Sequence, residues 1–113
     1  MAPNKFIGML FQSRDAMHLA HLNTTSFAEH KALGGYYEEL VGLIDNFSEV
    51  YFGRFKRLDI VIPEAKIQDS VEHMKAMQAL IDGERNNYPS ELQNILDEML
   101  ALVNKTLYLL TLS

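Results

Sequence analysis

About fifteen residues without helical period, 54 to 68, separate two long stretches that have it, and this interruption constrains the fold more than any other feature. Within it, Leu58-Asp59-Ile60-Val61-Ile62-Pro63 is extended in character, and Pro63 holds the residue before it in β or polyproline geometry. Antiparallel neighbouring helices are usually joined by roughly two to eight residues. At up to ~3.3 Å per residue, the longer stretch can run the length of a bundle and start the next helix at its far end. The spacing therefore predicts two helical hairpins joined by one long crossover.

The first helical segment covers 4–23, where Phe6, Leu10 and Met17 recur at helical spacing beside Met9, Ala16 and Ala20. Ile7, Phe11, His18 and Leu22 form a second, partly apolar face, the mark of a partner interface. Ser26 suits an N-cap, and Glu29 three residues on suits a capping box. The second segment, 27–52, carries Leu33, Tyr37, Leu40, Ile44, Phe47 and Tyr51 on one stripe, with Gly53 as its stop. Gly34, Gly35 and Gly42 each cost that helix about 1 kcal/mol relative to alanine, and such glycines mark a close approach by another backbone. Asp69 caps a third segment that runs to Arg85 through Val71, Met74, Met77, Ala79, Leu80 and Ile81. Glu72 and His73, being adjacent, cannot share a face and read as surface. Pro89 and Ser90 open a fourth segment, from Leu92 to Leu110. The expectation is one all-α domain over residues 1–113, a four-helix bundle with a long crossover between its second and third helices.

Composition narrows the function classes. With 48% hydrophobic and 22% charged residues the chain can build a packed core. It has no cysteine, which excludes disulfides and thiolate chemistry. A net charge of −5, with Arg54-Phe55-Lys56-Arg57 as the one basic cluster, argues against a nucleic-acid partner. No run approaches the ~20 apolar residues of a membrane span, and Met1–Lys5 is too short and polar for a signal peptide. A cytoplasmic protein without membrane contact is expected. No phosphate loop, nucleophile elbow or zinc motif occurs.

What remains is a set of candidate metal ligands: His18, His21 and His30, then Asp45 and Glu49 one helical turn apart. Imidazole with carboxylate suits iron, manganese or zinc. Stepping about 100° per residue from His30, the apolar stripe of the second helix centres near −50°, whereas Asp45 and Glu49 fall near +60° and +100°. Carboxylates so far off the core stripe disfavour a di-iron centre inside the bundle, which needs inward ligands on all four helices. They permit a site shared by two chains across a two-fold axis.

These residues resemble a known pattern. His18-x-x-His21-Leu22-Asn23, Phe27-x-x-His30, Gly35-Tyr36 and Asp45-x-x-x-Glu49 are similar to the Dps family of mini-ferritins over roughly residues 6–53. The resemblance implies a ferritin-like four-helix bundle, a homo-oligomer of at least two chains, and an iron ferroxidase site at the dimer interface. His21 and His30 are then ligands from one chain, and Asp45 and Glu49 from its mate. Leu22 stands where the family has Trp, and Gly34 where it has a further Asp ligand, which weakens the second iron position more than the first. The family's lysine-rich tail is absent, so a DNA-binding role is not implied. Small ferritin-like proteins of unknown function, including phage-encoded ones, are similar in outline. The alternative expectation is a non-catalytic interaction or assembly protein that keeps the fold without the metal site.

Overall fold

A computed structural model describes residues 1–113 as four α-helices and no strand: α1 (Pro3–Asn23), α2 (Phe27–Arg54), α3 (Ser70–Glu84) and α4 (Ser90–Leu110), with a 3-10 turn at Arg85–Asn87. The helices form a bundle 43 Å long and 25 by 20 Å across. Tertiary bonds fix the direction of each. The side-chain amide of Asn4 donates to the Asp59 carbonyl at 3.4 Å and that of Gln12 to the Glu64 carbonyl at 2.9 Å. Between them Gly8 faces the Val61 carbonyl. Numbers on the two segments rise together, so the crossover runs beside α1, back to the end where α2 began. There the Ser70 hydroxyl donates to the Glu29 carboxylate at 2.9 Å. Hence α3 runs parallel to α2, and α4 returns against both. In cross-section the order is α1, α2, α4, α3, with the α3–α1 contact the thinnest.

Each helix is long because its apolar spacing sustains one buried stripe. Leu33, Leu40, Ile44 and Phe47 of α2 are fully buried, as are Phe6, Leu10 and Met17 of α1. Phe6, Phe47 and Tyr88 close one end of the core, with both Phe6 and Tyr88 edge-on to Phe47 at 5.8 and 5.2 Å. The helix starts follow capping rules: the Ser26 hydroxyl accepts from the Glu29 amide at 3.2 Å and the Asp69 carboxylate from the Glu72 amide at 2.9 Å.

The departures from the sequence expectation have local causes. Glu29 does not close a capping box, because its carboxylate turns to Ser70 and ties the starts of α2 and α3 together. Gly53 does not stop α2: the helix continues through Arg54, which reaches Glu91 of α4 at 2.7 Å. Tyr36 takes the core position expected for Tyr37, and Val71 and Ala79 lie on the exposed side of α3. Ile7 is fully buried, so the second face of α1 is narrower than its spacing suggests.

The largest departure is His73. It is 8% exposed and sits in a buried polar chain rather than on the surface. Its Nε2 lies 2.6 Å from the Ser13 hydroxyl, which lies 2.6 Å from the Tyr36 hydroxyl. Its Nδ1 donates to the side-chain carbonyl of Gln68 at 2.9 Å. With His73 neutral, Tyr36 donates to Ser13, Ser13 donates to Nε2, and every member is satisfied. Burial holds the His73 imidazole down at about 4 and pushes the Tyr36 phenol up. The sequence did hold a signal: Ser13 interrupts the core stripe of α1 between Leu10 and Met17, and a buried hydroxyl demands a partner.

Candidate metal centre

His21 and His30 come together where α1 ends and α2 begins. His21 Nδ1 lies 2.5 Å from the His30 carbonyl oxygen, and His30 Nδ1 lies 2.8 Å from the His21 carbonyl oxygen. A carbonyl only accepts, so both Nδ1 atoms carry the proton and donate. In both rings the neutral tautomer is thereby the one with the proton on Nδ1 and the lone pair on Nε2. The rings stack with centroids 3.7 Å apart and planes 17° apart. The His21 carbonyl belongs to the last turn of α1, where no intrahelical donor remains, so His30 also caps that helix.

Gly34 makes this arrangement possible. It lies one turn after His30, and a Cβ there would come within 3.1 Å of His21 Cε1 and 3.3 Å of its Nδ1. The glycine marks the approach of a side chain, not of a backbone. An aspartate at this position would meet the His21 ring. His18 stacks on Tyr37 at 4.0 Å and 10°, with the Arg14 guanidinium 5.4 Å from the Tyr37 centroid. Both rings are thus held by packing, and His18 is a neighbour of the pair rather than part of it: its centroid is 6.0 Å from that of His21.

Asp45 and Glu49 are exposed on α2, on one face as their spacing requires. Fifteen residues at ~1.5 Å each put Asp45 some 22 Å along the helix from His30. Glu38, about two turns before Asp45 on the same broad side of α2, is also exposed. Within one chain no three His, Asp or Glu side chains converge to hold a metal ion. Imidazole and carboxylate are ligand types of a borderline metal, and within this chain the two types stand apart. The paired imidazoles have the back-bonded Nδ1 typical of metal-binding histidine. Asp45 and Glu49 of the same chain do not reach them.

The profile of a family of unknown function (DUF5856) matches residues 21–110, from the first histidine of the pair to the end of α4. An uncharacterized 14.6 kDa protein of the mobD-ri intergenic region of Enterobacteria phage T4 is 29% identical over 96% of this chain and 88% of its own length. No solved structure matches the chain. No helix is long and apolar enough to cross a membrane.

Proposed function

We propose that this chain, which belongs to the DUF5856 family of unknown function, binds a transition-metal ion between two copies of itself in the cytoplasm. In this reading the bundle is ferritin-like: one long crossover joins parallel helices α2 and α3, the connectivity of ferritin-like folds. The observation that carries the proposal is the bond from Nδ1 of His21 and of His30 to a backbone carbonyl, which leaves Nε2 as the ligating atom of each ring. Asp45 and Glu49 of a two-fold-related copy complete the set, with iron first and manganese or zinc as the other fits. A bound ion supplies Lewis-acid character, and with iron a redox couple. The chain itself orients two imidazoles through backbone carbonyls and leaves the carboxylates in solvent until a second copy docks. With the His21 ring lying against Gly34, the second iron position of a ferroxidase has no carboxylate from this chain.

The test is an anaerobic ferrous titration of metal-stripped protein by calorimetry. About one ion per copy is expected, and Asp45→Ala with Glu49→Ala is expected to weaken binding by at least about tenfold. Both side chains are exposed, so thermal melting should not move. Equal affinity in the double variant would remove the proposal. Ferric absorbance on admitting air would extend it to iron oxidation.

A second reading, a non-catalytic assembly protein, is favoured by the same hydrogen bonds. The reciprocal Nδ1 bonds and the ring stack already join α1 to α2 and explain both histidines as a structural clasp. Wild-type protein that takes up no metal in the titration would leave this reading standing.

A further inference from the structure

The largest groove in the molecule is not at the histidines. It lies between α2 and α4, on the side of the bundle turned away from α1 and α3. Its wide part is open and holds about 520 Å³ against Gly42, Leu43, Ala101 and Leu102. It continues toward the start of α2 as a second hollow of about 290 Å³, lined by Ala28, Ala32, Leu109 and Leu112. The floor of both hollows is largely apolar, with Thr106 in the narrow stretch between them. Gly35 and Gly42 stand on the α2 wall two turns apart, and a Cβ built on either would meet nothing within 4 Å. No contact inside the chain calls for these glycines.

Four exposed charges border the groove, and their order matters. Lys31 borders only the upper hollows, near the start of α2, Glu98 borders only the wide part, and Lys105 and Glu39 border the junction between them. A cation at one end and a carboxylate at the other, with one of each between them, make a rim that complements itself after a half-turn. A contact of that kind is isologous: the same patch serves both partners. A different helical partner needs only the apolar floor. It is the polarity of the rim that singles out a second copy.

We propose that two copies of this chain dock through the α2–α4 groove about a two-fold axis, with Lys31 and Lys105 of each facing Glu39 and Glu98 of the other. The missing side chains at Gly35 and Gly42 let the backbones approach across the axis. This contact does not rest on the metal reading, since it uses neither His21 and His30 nor Asp45 and Glu49.

The experiment is sedimentation equilibrium in the presence of a chelator, so that a metal-bridged pairing contributes nothing. Two double variants are compared: Glu39→Lys with Glu98→Lys, and Lys31→Glu with Lys105→Glu. All four side chains are exposed, and circular dichroism should show both variants folded. Wild type is expected to dimerise, and each variant alone to lose at least tenfold in association constant. An equimolar mixture of the two, now one cationic and one anionic rim, is expected to recover it. Gly42→Trp, which fills the wide part of the groove where there is room for a side chain, is expected to be monomeric. A wild type that stays monomeric at high concentration overturns the proposal, and so do charge variants that each associate as wild type does. The metal reading fails or stands separately, on the titration.

Discussion

Replacing His73 with glutamine is expected to remove most of the acid sensitivity of the fold. The His73 imidazole is held at about 4 by burial, against 6.5 in an unfolded chain. Between those values the unfolded chain binds a proton that the folded one refuses. Stability is therefore complete above pH 6.5, falls as the pH drops toward 4, and loses nothing further from this group below that. A gap of about 2.5 pH units at ~1.4 kcal/mol per unit corresponds to about 3 kcal/mol. Urea denaturation at pH 7 and at pH 4.5 should show a loss of that order in wild type and a much smaller one in the glutamine variant. Parallel losses in the two proteins would mean that another group carries the acid response. At pH 7 His73→Ala is expected to cost about 3 kcal/mol, because it opens a cavity and leaves the buried Ser13 hydroxyl without its acceptor.

Gly8→Ala is the second large effect, and its sign opposes helix propensity. On propensity alone, alanine in the middle of α1 should stabilise by about 1 kcal/mol. At Gly8, however, a Cβ runs into the carbonyl oxygen of Val61. The neighbour is backbone and cannot rotate aside, so the crossover must lift from α1 and strain the Asn4 and Gln12 bonds to Asp59 and Glu64. Overpacking of this kind costs roughly 1–3 kcal/mol. The expected result is a net loss of about 2 kcal/mol with faster protease cleavage between Leu58 and Glu64. A variant more stable than wild type, with the crossover still protected, would show that the segment gives way freely.

Much of the architecture was legible because it depends on spacing. The four apolar stripes set the four helices, and the unpatterned length of 54–68 set the crossover. Ser26 and Asp69 were readable as caps from chemistry that acts over three residues. What spacing could not supply was the partner of each polar group. Ser13, Tyr36, His73 and Gln68 come from four different segments, and only the packed chain shows that they form one hydrogen-bonded line. Tyr36 and Tyr37 are adjacent, so a small rotation of α2 decides which is buried, and the hydroxyl waiting at Ser13 selects Tyr36. At the candidate site the sequence picked out His21 and His30 by resemblance and could not foresee their reciprocal bonds. Gly34 there looked like the loss of a ligand. The geometry adds a steric reason for it, the face of the His21 ring.

The buried line from Tyr36 to Gln68 also bears on how many structures this chain can choose among. Its core is rich in Met, Leu and Ile, including Met17, Met74, Met77 and Met99, and such side chains adapt to many arrangements at little cost. Sliding one helix past another by a turn would keep most of the apolar area buried. It would also leave at least one of Ser13, Tyr36 and His73 without a partner in a dry interior, at a cost of about 1–3 kcal/mol per group. Only one alignment of α1, α2, α3 and the end of the crossover satisfies all of them. The greasy contacts make the bundle stable in any of several registers, and four polar side chains in a row make it singular.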